Sequence, residues 1–371
     1  MYDHWLADRT HWFDASGIRK VFDLAAKLTA PVNLSIGQPD FDAPEVARQA
    51  AIEAISSRKN GYTPTQGAAP LLKKVQSDVD AMYGAGKREA FIASGTSGGL
   101  LLTLLTLVNP GDEVILFDPY FVMYEALVKM LGAVPVLIST YPDFQIDVNK
   151  VAAAVTPKTK MIILNSPANP TGVIATEENV RDLVALATEK NIVLVRDEIY
   201  KFFCYDGDFV SPAKYSDEVI VLDGFSKCYG MPGWRLGFVH GPHEIIQQML
   251  KFQQYSFVCA PSALQYGALA AIGTDMDQIL ANYRHKRDLI YDGLKDCYEI
   301  TKSNGAFYSF PKAPWGTASE FVTYLIQEHQ LLVIPGNVFS KQDTNFRISF
   351  AASDETIEKG VEILRKAAKA R

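Results

Sequence analysis

The sequence has few cysteines and no long apolar segment, and both absences narrow what the protein can be. Its four cysteines, Cys204, Cys228, Cys259 and Cys297, stand far apart without a C-x-x-C pair, which argues against a disulfide framework and against a zinc site. The longest nearly apolar run, residues 98–108, is far shorter than the roughly 20 residues that a membrane-spanning helix needs. We therefore expect no metal and no membrane span.

The sequence also lacks an excess of positive charge. Lysine and arginine total 36 against 42 for aspartate and glutamate, a net charge of −6, and no block of like charge stands out. A nucleic-acid groove needs clustered basic residues, so the composition disfavours one. Residues 1–14 mix both charge signs with aromatic residues and lack the basic-then-apolar order of a signal peptide, so we expect a cytoplasmic protein.

What the chain does contain is the pattern of a large α/β protein. Its 371 residues are 48% hydrophobic and 21% charged, which is typical of a folded chain of about two domains. Short β-branched runs alternate with helical patterns, as in βα units built around a mainly parallel sheet flanked by helices. We predict a large domain over residues 46–275 and a smaller α/β domain over 276–371, with residues 1–45 forming an N-terminal arm and part of the small domain.

The predicted elements follow this division. In the large domain we expect strands at 91–93, 114–117, 134–138, 161–164, 192–195, 219–222 and 236–239, and a helix at 176–190. In the small domain we expect strands at 306–310, 331–334 and 346–350, and helices at 276–297, 318–329 and 354–369. A helical face formed by Ile18, Val21, Phe22, Ala25 and Leu28 suits ordinary core packing, or docking on the small domain or on a second subunit.

Residues capable of chemistry fall at the ends of predicted strands or in the loops that follow them, where open α/β sheets place their ligand sites. The stretches concerned are 94–98, 165–172, 197–200, 226–237 and 347–350. Residues 94–98 (SGTSG) leave a strand and open a helix, so their backbone N–H groups and hydroxyls suit a phosphate. An ordinary strand-to-helix turn explains this stretch equally well when it is taken alone.

Four charged side chains in these stretches have both a structural and a functional interpretation. Asp197 is either a solvated strand-end acid or the partner of a protonated ring nitrogen. A lysine at position 227, if desolvated among cations, has a lowered pKa and becomes a nucleophile toward an aldehyde. The planar fork of Arg235 suits a phosphate or a carboxylate. Arg347 lies in an apolar strand and needs an anion, which is either a structural carboxylate or that of a substrate.

In this order along the chain, the stretches resemble the class I and II aminotransferases of pyridoxal-phosphate fold type I, the relatives of aspartate aminotransferase. The resemblance covers nearly the whole chain and extends to residues 35–41 (SIGQPDF), 61–67 (GYTPTQG), 118–124 (DPYFVMY) and 305–308 (GAFY). It implies the fold type I architecture, with a large and a small α/β domain. It also implies a homodimer and pyridoxal 5′-phosphate as the cofactor.

The resemblance implies a role for each residue around the cofactor ring. Lys227 would form a Schiff base with the cofactor and then move a proton between the substrate's Cα and the cofactor. Asp197 would keep the pyridine nitrogen protonated, while Asn169 and Tyr200 would hydrogen-bond the phenolic oxygen. Phe121 would stack on the ring, although a core phenylalanine is also a reasonable interpretation of that residue.

The resemblance also implies two anion sites. The residues implied for the phosphate are Gly95, Thr96, Ser97, Ser226, Arg235 and, from the partner subunit, Tyr62. Arg347, the backbone of Gly37 and the amide of Asn169 would hold the substrate's α-carboxylate. The chain departs from the family pattern at Gly224, where some members have a phosphate-binding serine, and at Arg196, which strand alternation should turn away from the cofactor. No residue stands out as a clamp for a second, distal carboxylate.

The implied function is amino-group transfer from an amino acid to a 2-oxo acid, with 2-oxoglutarate as the usual acceptor, by a two-stage ping-pong cycle. A C–S β-lyase, a decarboxylase-like activity or an aminocyclopropane-carboxylate-synthase-like elimination would use the same shared residues, since fold does not fix the reaction. A non-catalytic effector-binding module is disfavoured because no basic helix-turn-helix segment is present, and a nicotinamide dehydrogenase because its glycine fingerprint is missing. Aspartate, aromatic and small neutral donors all remain open.

Overall fold

The structure is a computed structural model that describes residues 2–15, 17, 28–207 and 209–370. Its strands are β1 (Val32–Asn33), β2 (Glu89–Ala93), β3 (Glu113–Asp118), β4 (Val134–Ser139), β5 (Thr159–Asn165), β6 (Val193–Asp197), β7 (Ile220–Gly224), β8 (Gly237–Gly241), β9 (Tyr308–Ser309), β10 (Leu331–Leu332), β11 (Ile334–Pro335) and β12 (Phe346–Ser349). Its α-helices are α1 (Glu45–Ser56), α2 (Ala69–Tyr83), α3 (Gly95–Leu107), α4 (Val122–Met130), α5 (Val148–Ala154), α6 (Glu177–Lys190), α7 (His243–Tyr255), α8 (Ser262–Ala271), α9 (Asp277–Leu294), α10 (Ala318–His329) and α11 (Asp354–Ala367). Short 3₁₀ turns lie at Asp3–Trp5, Asp8–His11, Pro212–Lys214, Pro232–Trp234 and Gly336–Val338.

Seven strands form one large sheet in the order β2-β8-β7-β6-β5-β3-β4. The pairings among β4, β3, β5, β6 and β7 are all parallel, whereas β8 runs antiparallel to both of its neighbours. The predicted mainly parallel sheet flanked by helices is therefore confirmed. Because β5, β6 and β7 run in the same direction, their carboxyl ends meet at one edge of the sheet.

Helices cover both faces of this sheet because successive strand residues point to opposite sides. In β6, Val195 packs into a cluster with the apolar residues of α3, α4 and α7. Its neighbour Leu194 packs on the other face, against α6 residues such as Leu183 and Ala187. The strands are thus buried on both sides, which explains their nearly continuous apolar runs.

The last third of the chain, together with β1, forms two smaller sheets. Strands β11, β12 and β9 pair antiparallel in that order, and β1 pairs parallel with β10. Helices α9, α10 and α11 contribute to the apolar cluster beneath these strands. The strand that carries Arg347 is therefore the central strand of a small sheet. The domain boundaries at residues 45 and 275 stay a prediction.

Two predicted strands of the small domain need correction. Most of the predicted N-terminal helical face lies outside the described residues. The strand expected at 306–310 is ordered as a strand only at Tyr308–Ser309. The single strand expected at 331–334 is two short strands, because β10 pairs with β1 while β11 pairs with β12. Of the predicted N-terminal helical face, Ile18 to Ala25 lie outside the described residues, while Leu28 packs against the cluster around Phe310.

Two features of the described residues concern membrane insertion and metal binding. None of the helices there combines the length and the apolar character needed to cross a membrane. The same residues contain no group of three or more histidine, cysteine, aspartate or glutamate side chains placed to hold a metal ion.

Helix α3 approaches the sheet unusually closely at a glycine. A Cβ atom added to Gly99 would lie 2.6 Å from Cγ2 of Val239 in β8 and 3.5 Å from Cδ2 of Leu222 in β7. Both distances involve packed core side chains, and the shorter one is below any normal contact. The two glycines at 98 and 99 therefore serve the packing of the helix whose N-terminus faces the site.

We expect the substitution Gly99→Ala to lower the free energy of unfolding by about 1–3 kcal/mol, because the new methyl group overlaps Val239. The double variant Gly99→Ala, Val239→Ala should lose less than the sum of the single changes, since it relieves that overlap. Urea unfolding of the unsubstituted protein, the two single variants and the double variant measures both effects. An increase in stability on Gly99→Ala, as an exposed helix position would give, would contradict the close packing.

Candidate active site

A cavity of about 330 Å³ opens at the carboxyl ends of β5, β6 and β7. Arg347 on β12 and residues 36–38, which follow β1, close its other side. The predicted site residues that line it are Gly37, Thr96, Ser97, Phe121, Asn169, Asp197, Tyr200, Ser226, Lys227, Arg235 and Arg347. Stretches that are far apart in sequence are thus brought together at one place.

Two predicted site residues do not line this cavity. Gly95 is the first residue of α3 and has a φ of +72°, and a Cβ atom there would lie 2.7 Å from Nη2 of Arg235. The glycine therefore allows the Arg235 guanidinium to approach the helix N-terminus. Tyr62 is 86% exposed, and its contribution to a partner subunit's site stays a prediction.

Lys227 points into the cavity from the loop that follows β7. Its Nζ donates a hydrogen bond of 2.8 Å to the carbonyl oxygen of Gly37 and lies 5.8 Å from the ring centre of Tyr200. Desolvation lowers the pKa of Lys227 to about 8, and the positive charges of Arg347 and Arg235 act in the same direction. A large part of this lysine is consequently a neutral, nucleophilic amine near pH 8.

Asp197 ends β6 with a buried carboxylate. Its Oδ2 accepts a hydrogen bond of 2.7 Å from the Tyr124 hydroxyl, and its Oδ1 accepts from the backbone N–H of Ile199 at 3.1 Å. Burial raises the pKa of Asp197 to about 6, and these hydrogen bonds partly offset that rise. The carboxylate is therefore mainly ionised at neutral pH and suits a positively charged partner.

The N-terminus of α3 and the Arg235 side chain form an anion-binding end of the cavity. Thr96 and Ser97 lie in the first turn of the helix, where backbone N–H groups are free to bind an anion. Ser226 faces the same cavity from the loop after β7. Arg235 has a left-handed backbone conformation, with φ at 55°, and its Nη1 donates 3.0 Å to the Pro232 carbonyl.

The glycine at position 224, where some family members have a serine, lies in a closely packed place. A Cβ atom added to Gly224 would lie 3.0 Å from the Gly237 Cα, from the Leu236 carbonyl oxygen and from Oγ1 of Thr96. A side chain there would need its neighbours to move. The anion-binding end is therefore built without a hydroxyl from this position.

Arg347 is a buried cation whose contacts with the described protein residues include no carboxylate. Its Nη1 donates to Oδ1 of Asn169 and its Nη2 to the Ser35 carbonyl, both at 2.9 Å. The rings of Tyr308 and Phe339 lie 4.6 and 4.7 Å from its guanidinium carbon. Burial lowers its pKa. The described residues thus supply no structural carboxylate for Arg347, and its role toward a substrate carboxylate stays a prediction.

Three further predicted residues surround the centre of the cavity. The Tyr200 hydroxyl lies 2.8 Å from the Tyr308 hydroxyl, and both side chains are buried. Asn169 accepts from Arg347 through Oδ1, so its NH₂ group is the end that can donate to a ligand. Phe121 precedes α4 and packs edge-on against Tyr124, with ring centres 5.7 Å apart.

Two tyrosines of the site, Tyr124 and Tyr308, were not predicted from the sequence, whereas the orientation of Arg196 was. Tyr124, which binds Asp197, and Tyr308, which contacts both Tyr200 and Arg347, lie in the motifs 118–124 and 305–308. Tyr124 follows Phe121 by one helical turn, and this spacing could have indicated that both side chains face the cavity. Arg196 does not line the cavity, and its guanidinium lies 5.3 Å from the ring centre of Phe209, so strand alternation turns it away as expected.

The charges of the site describe its ligand. Three cations, Lys227, Arg235 and Arg347, line the cavity with one carboxylate, Asp197. A ligand with separate anionic groups, one at the α3 N-terminus and one at Arg347, would compensate this excess. Between these anionic groups, a positively charged atom of the ligand would pair with Asp197, and an electrophilic group would react with the amine of Lys227.

Comparison with known proteins places the chain among relatives over nearly its full length. The family model for aminotransferase class I and II matches residues 29–364. A probable aspartate aminotransferase of Methanocaldococcus jannaschii is 37% identical, over 95% of this chain and 96% of that protein. Aromatic-amino-acid aminotransferase 2 of Thermococcus litoralis is 32% identical, over 98% of each chain. The structure of Thermus thermophilus aspartate aminotransferase with maleate superposes with a TM-score of 0.91 at 30% identity, covering 98% of this chain and 99% of that one.

The raised pKa of Asp197 predicts a pH-dependent stability for the cofactor-free protein. Because the folded-state pKa of about 6 exceeds the ordinary aspartate pKa of 3.8, the carboxyl stabilises the fold below pH 3.8, and that stability is lost as the pH rises through 6. The variant Asp197→Asn avoids this loss while its amide oxygen still accepts from Tyr124. We expect its stability relative to the unsubstituted protein to grow by about 1 kcal/mol between pH 5 and pH 7.

Urea unfolding of the cofactor-free proteins across this pH range measures the effect. Asp182→Asn, an exposed position on α6, is the matched control. A stability difference for Asp197→Asn that stays constant from pH 5 to pH 7 would show that the carboxyl titrates below this range.

Proposed function

Because this chain belongs to the aminotransferase class I and II family, we propose that 2-oxoglutarate is its acceptor and that the reaction is a ping-pong cycle through Lys227. The chain is a pyridoxal-phosphate-dependent aminotransferase, acting on an amino acid and a 2-oxo acid. One observation carries the finer proposal. The same cavity holds a buried guanidinium, Arg347, whose contacts with the described residues include no carboxylate, and an amine, Lys227, whose pKa is lowered to about 8.

The donor set of the cavity fits pyridoxal phosphate at each of its polar ends. The phosphate suits the α3 N-terminus and Arg235, and the pyridine nitrogen suits the buried carboxylate of Asp197. The phenolic oxygen suits Tyr200 and the NH₂ group of Asn169, with Phe121 beside the ring. When bound, the cofactor supplies an electron-withdrawing ring that stabilises negative charge at the substrate's Cα.

Lys227 performs two tasks in this proposal. Its Nζ, as a neutral amine, would hold the cofactor through the aldehyde group, with loss of water, and when a substrate amino group takes its place the free amine would accept the proton from the substrate's Cα. Both tasks need an unprotonated amine, and the positive charges of Arg235 and Arg347 favour that form. A base works best when its pKa lies near the working pH.

Arg347 positions the substrate relative to that amine. Its planar guanidinium suits a bidentate contact with an α-carboxylate, and Asn169 and the backbone of Gly37 complete the clamp. The substrate carboxylate would supply the negative charge that Arg347 lacks in the described protein. Binding energy at this end therefore aligns the Cα–H bond with Lys227.

We propose a homodimer in which Tyr62 of each chain reaches the phosphate in the partner's site. Tyr62 is 86% exposed and lies away from the cavity of its own chain. Its loop is held in place, because Ser262 donates 2.6 Å to the Gly61 carbonyl and Gln265 donates 3.3 Å to Oγ1 of Thr63. A large exposed aromatic side chain on an anchored loop is what such a contact requires.

The first half of the cycle can be followed without an acceptor. We expect a single amino acid to convert the bound cofactor from its aldehyde form to pyridoxamine phosphate, which changes the absorbance spectrum, and 2-oxoglutarate to reverse the change. Lys227→Ala should abolish both changes because the proton at Cα then has no base. Lys251→Ala, on the exposed face of α7, is the matched control.

Other outcomes of this measurement point to other activities. Release of pyruvate and ammonia without an acceptor would indicate a β-lyase, and retained cofactor with no conversion by any amino acid would indicate a binding module. If pyruvate but not 2-oxoglutarate reverses the change, the transfer stands and the proposed acceptor is wrong.

The partner contact can be tested with mixed dimers. We expect sedimentation to give the mass of two chains, and Tyr62→Ala to weaken cofactor binding by about tenfold through one lost phosphate hydrogen bond. A mixed dimer of Tyr62→Ala and Lys227→Ala chains contains one site with both native residues, so that site should regain activity at cofactor concentrations too low to saturate the Tyr62→Ala dimer. Failure of the mixed dimer to regain activity, with both chains folded, would place Tyr62 in its own chain's site.

A further inference from the structure

Gly37 lies next to both Lys227 and Arg347 in the cavity. Its carbonyl oxygen lies 2.8 Å from Lys227 Nζ, and a Cβ atom at this position would lie 3.7 Å from Nη2 of Arg347 and 3.0 Å from the Tyr308 hydroxyl. If the proposed function holds, a substrate bound at Arg347 and reacting at Lys227 must lie along this backbone. The residues on either side of Gly37 then meet the substrate's side chain.

Those two neighbours differ in character. Ile36 is half-buried and apolar, whereas Gln38 is exposed at the mouth of the cavity, and both line it. The polar contacts of the described residues include no hydrogen bond from the Gln38 side chain to the protein. Its amide is therefore free to bind a ligand in the cavity.

The other polar side chains of the cavity already have partners or proposed roles. Tyr124 is bound to Asp197, Tyr308 to Tyr200, and Asn165 accepts from the backbone of Asn169. Lys227, Arg235 and Arg347, the cations among the described lining residues, serve the aldehyde, the phosphate and the α-carboxylate. This leaves Gln38 as the described lining group that can address a second polar group on the substrate.

We infer that Gln38 recognises the distal group of the substrate side chain through hydrogen bonds and without an ion pair. A primary amide donates through its NH₂ group and accepts through its oxygen, so it binds a carboxylate and a carboxamide about equally well. A cationic clamp would instead favour the carboxylate strongly. The inference names the substrate class: amino acids whose side chains end in a carboxylate or in its amide, with 2-oxoglutarate bound by the same contact.

The donor half-reaction provides the test, with kcat/KM measured for aspartate, asparagine and alanine. We expect aspartate and asparagine to differ by less than about tenfold in the unsubstituted enzyme, since no full ion pair separates them. Gln38→Leu should lower both relative to alanine by about tenfold, the cost of a lost hydrogen bond to a polar group. Gln38→Glu should lower the aspartate-to-asparagine ratio by about tenfold or more, and Gln38→Arg should raise it.

Controls separate this inference from the proposed function. Cofactor binding, followed by absorbance, shows that each Gln38 variant is folded, and Gln49→Glu on the exposed face of α1 is the matched charge change outside the cavity. If no donor converts the cofactor in the unsubstituted enzyme, the proposed function is wrong. If donors do convert it but the Gln38 series leaves the ratios unchanged, or if aspartate exceeds asparagine by more than about tenfold, the inference is wrong. Another group, such as a cation of the partner subunit, then binds the distal group of the substrate.

Discussion

Three positive side chains lie in one partly desolvated cavity with a single carboxylate, and the rest of the site depends on this excess of positive charge. Desolvation and like charge each disfavour the protonated form of an amine, which is why the pKa of Lys227 falls to about 8 while its neighbours Arg235 and Arg347 remain cations. The same excess makes the cavity a receptor for anions. One charge distribution therefore both activates the nucleophile and attracts a ligand with a phosphate and a carboxylate.

The arrangement requires backbone to approach backbone closely, and glycines allow it. Gly95 admits the Arg235 guanidinium to the N-terminus of α3, and Gly237 passes so near that a Cβ atom there would lie 2.6 Å from the Thr96 backbone nitrogen. A side chain at position 224, also next to Thr96, would require its neighbours to move. Gly99 allows α3 to pack closely against β8. The departure from the family pattern at Gly224 thus lies where the packing around the anion-binding end is close.

The carboxylate clamp is held by a different part of the fold. Arg347 projects from the central strand of a small sheet, between β11 and β9, and crosses to Asn169 in the loop after β5. Tyr308 on β9 contacts both Arg347 and Tyr200, so it links the small sheet to the end of β6. The site exists only where these two sheets meet, and the distance between Arg347 and Lys227 depends on how the sheets pack.

The sequence alone determined the class of fold and predicted most of the residues that line the cavity, because hydrophobic periodicity and short motifs depend on neighbouring residues. The apolar runs of β5 to β7 and the helical pattern of α6 required only neighbouring residues. Asp197 stood out as a charge at a strand end, Lys227 as one in the loop after a strand, and Arg347 as one within an apolar strand. Tertiary structure decided which side chains touch. The bond from Tyr124 to Asp197, the split between β10 and β11, and the free amide of Gln38 beside Gly37 all depend on contacts between distant segments. Such contacts arise from packing, and no spacing along the chain encodes them.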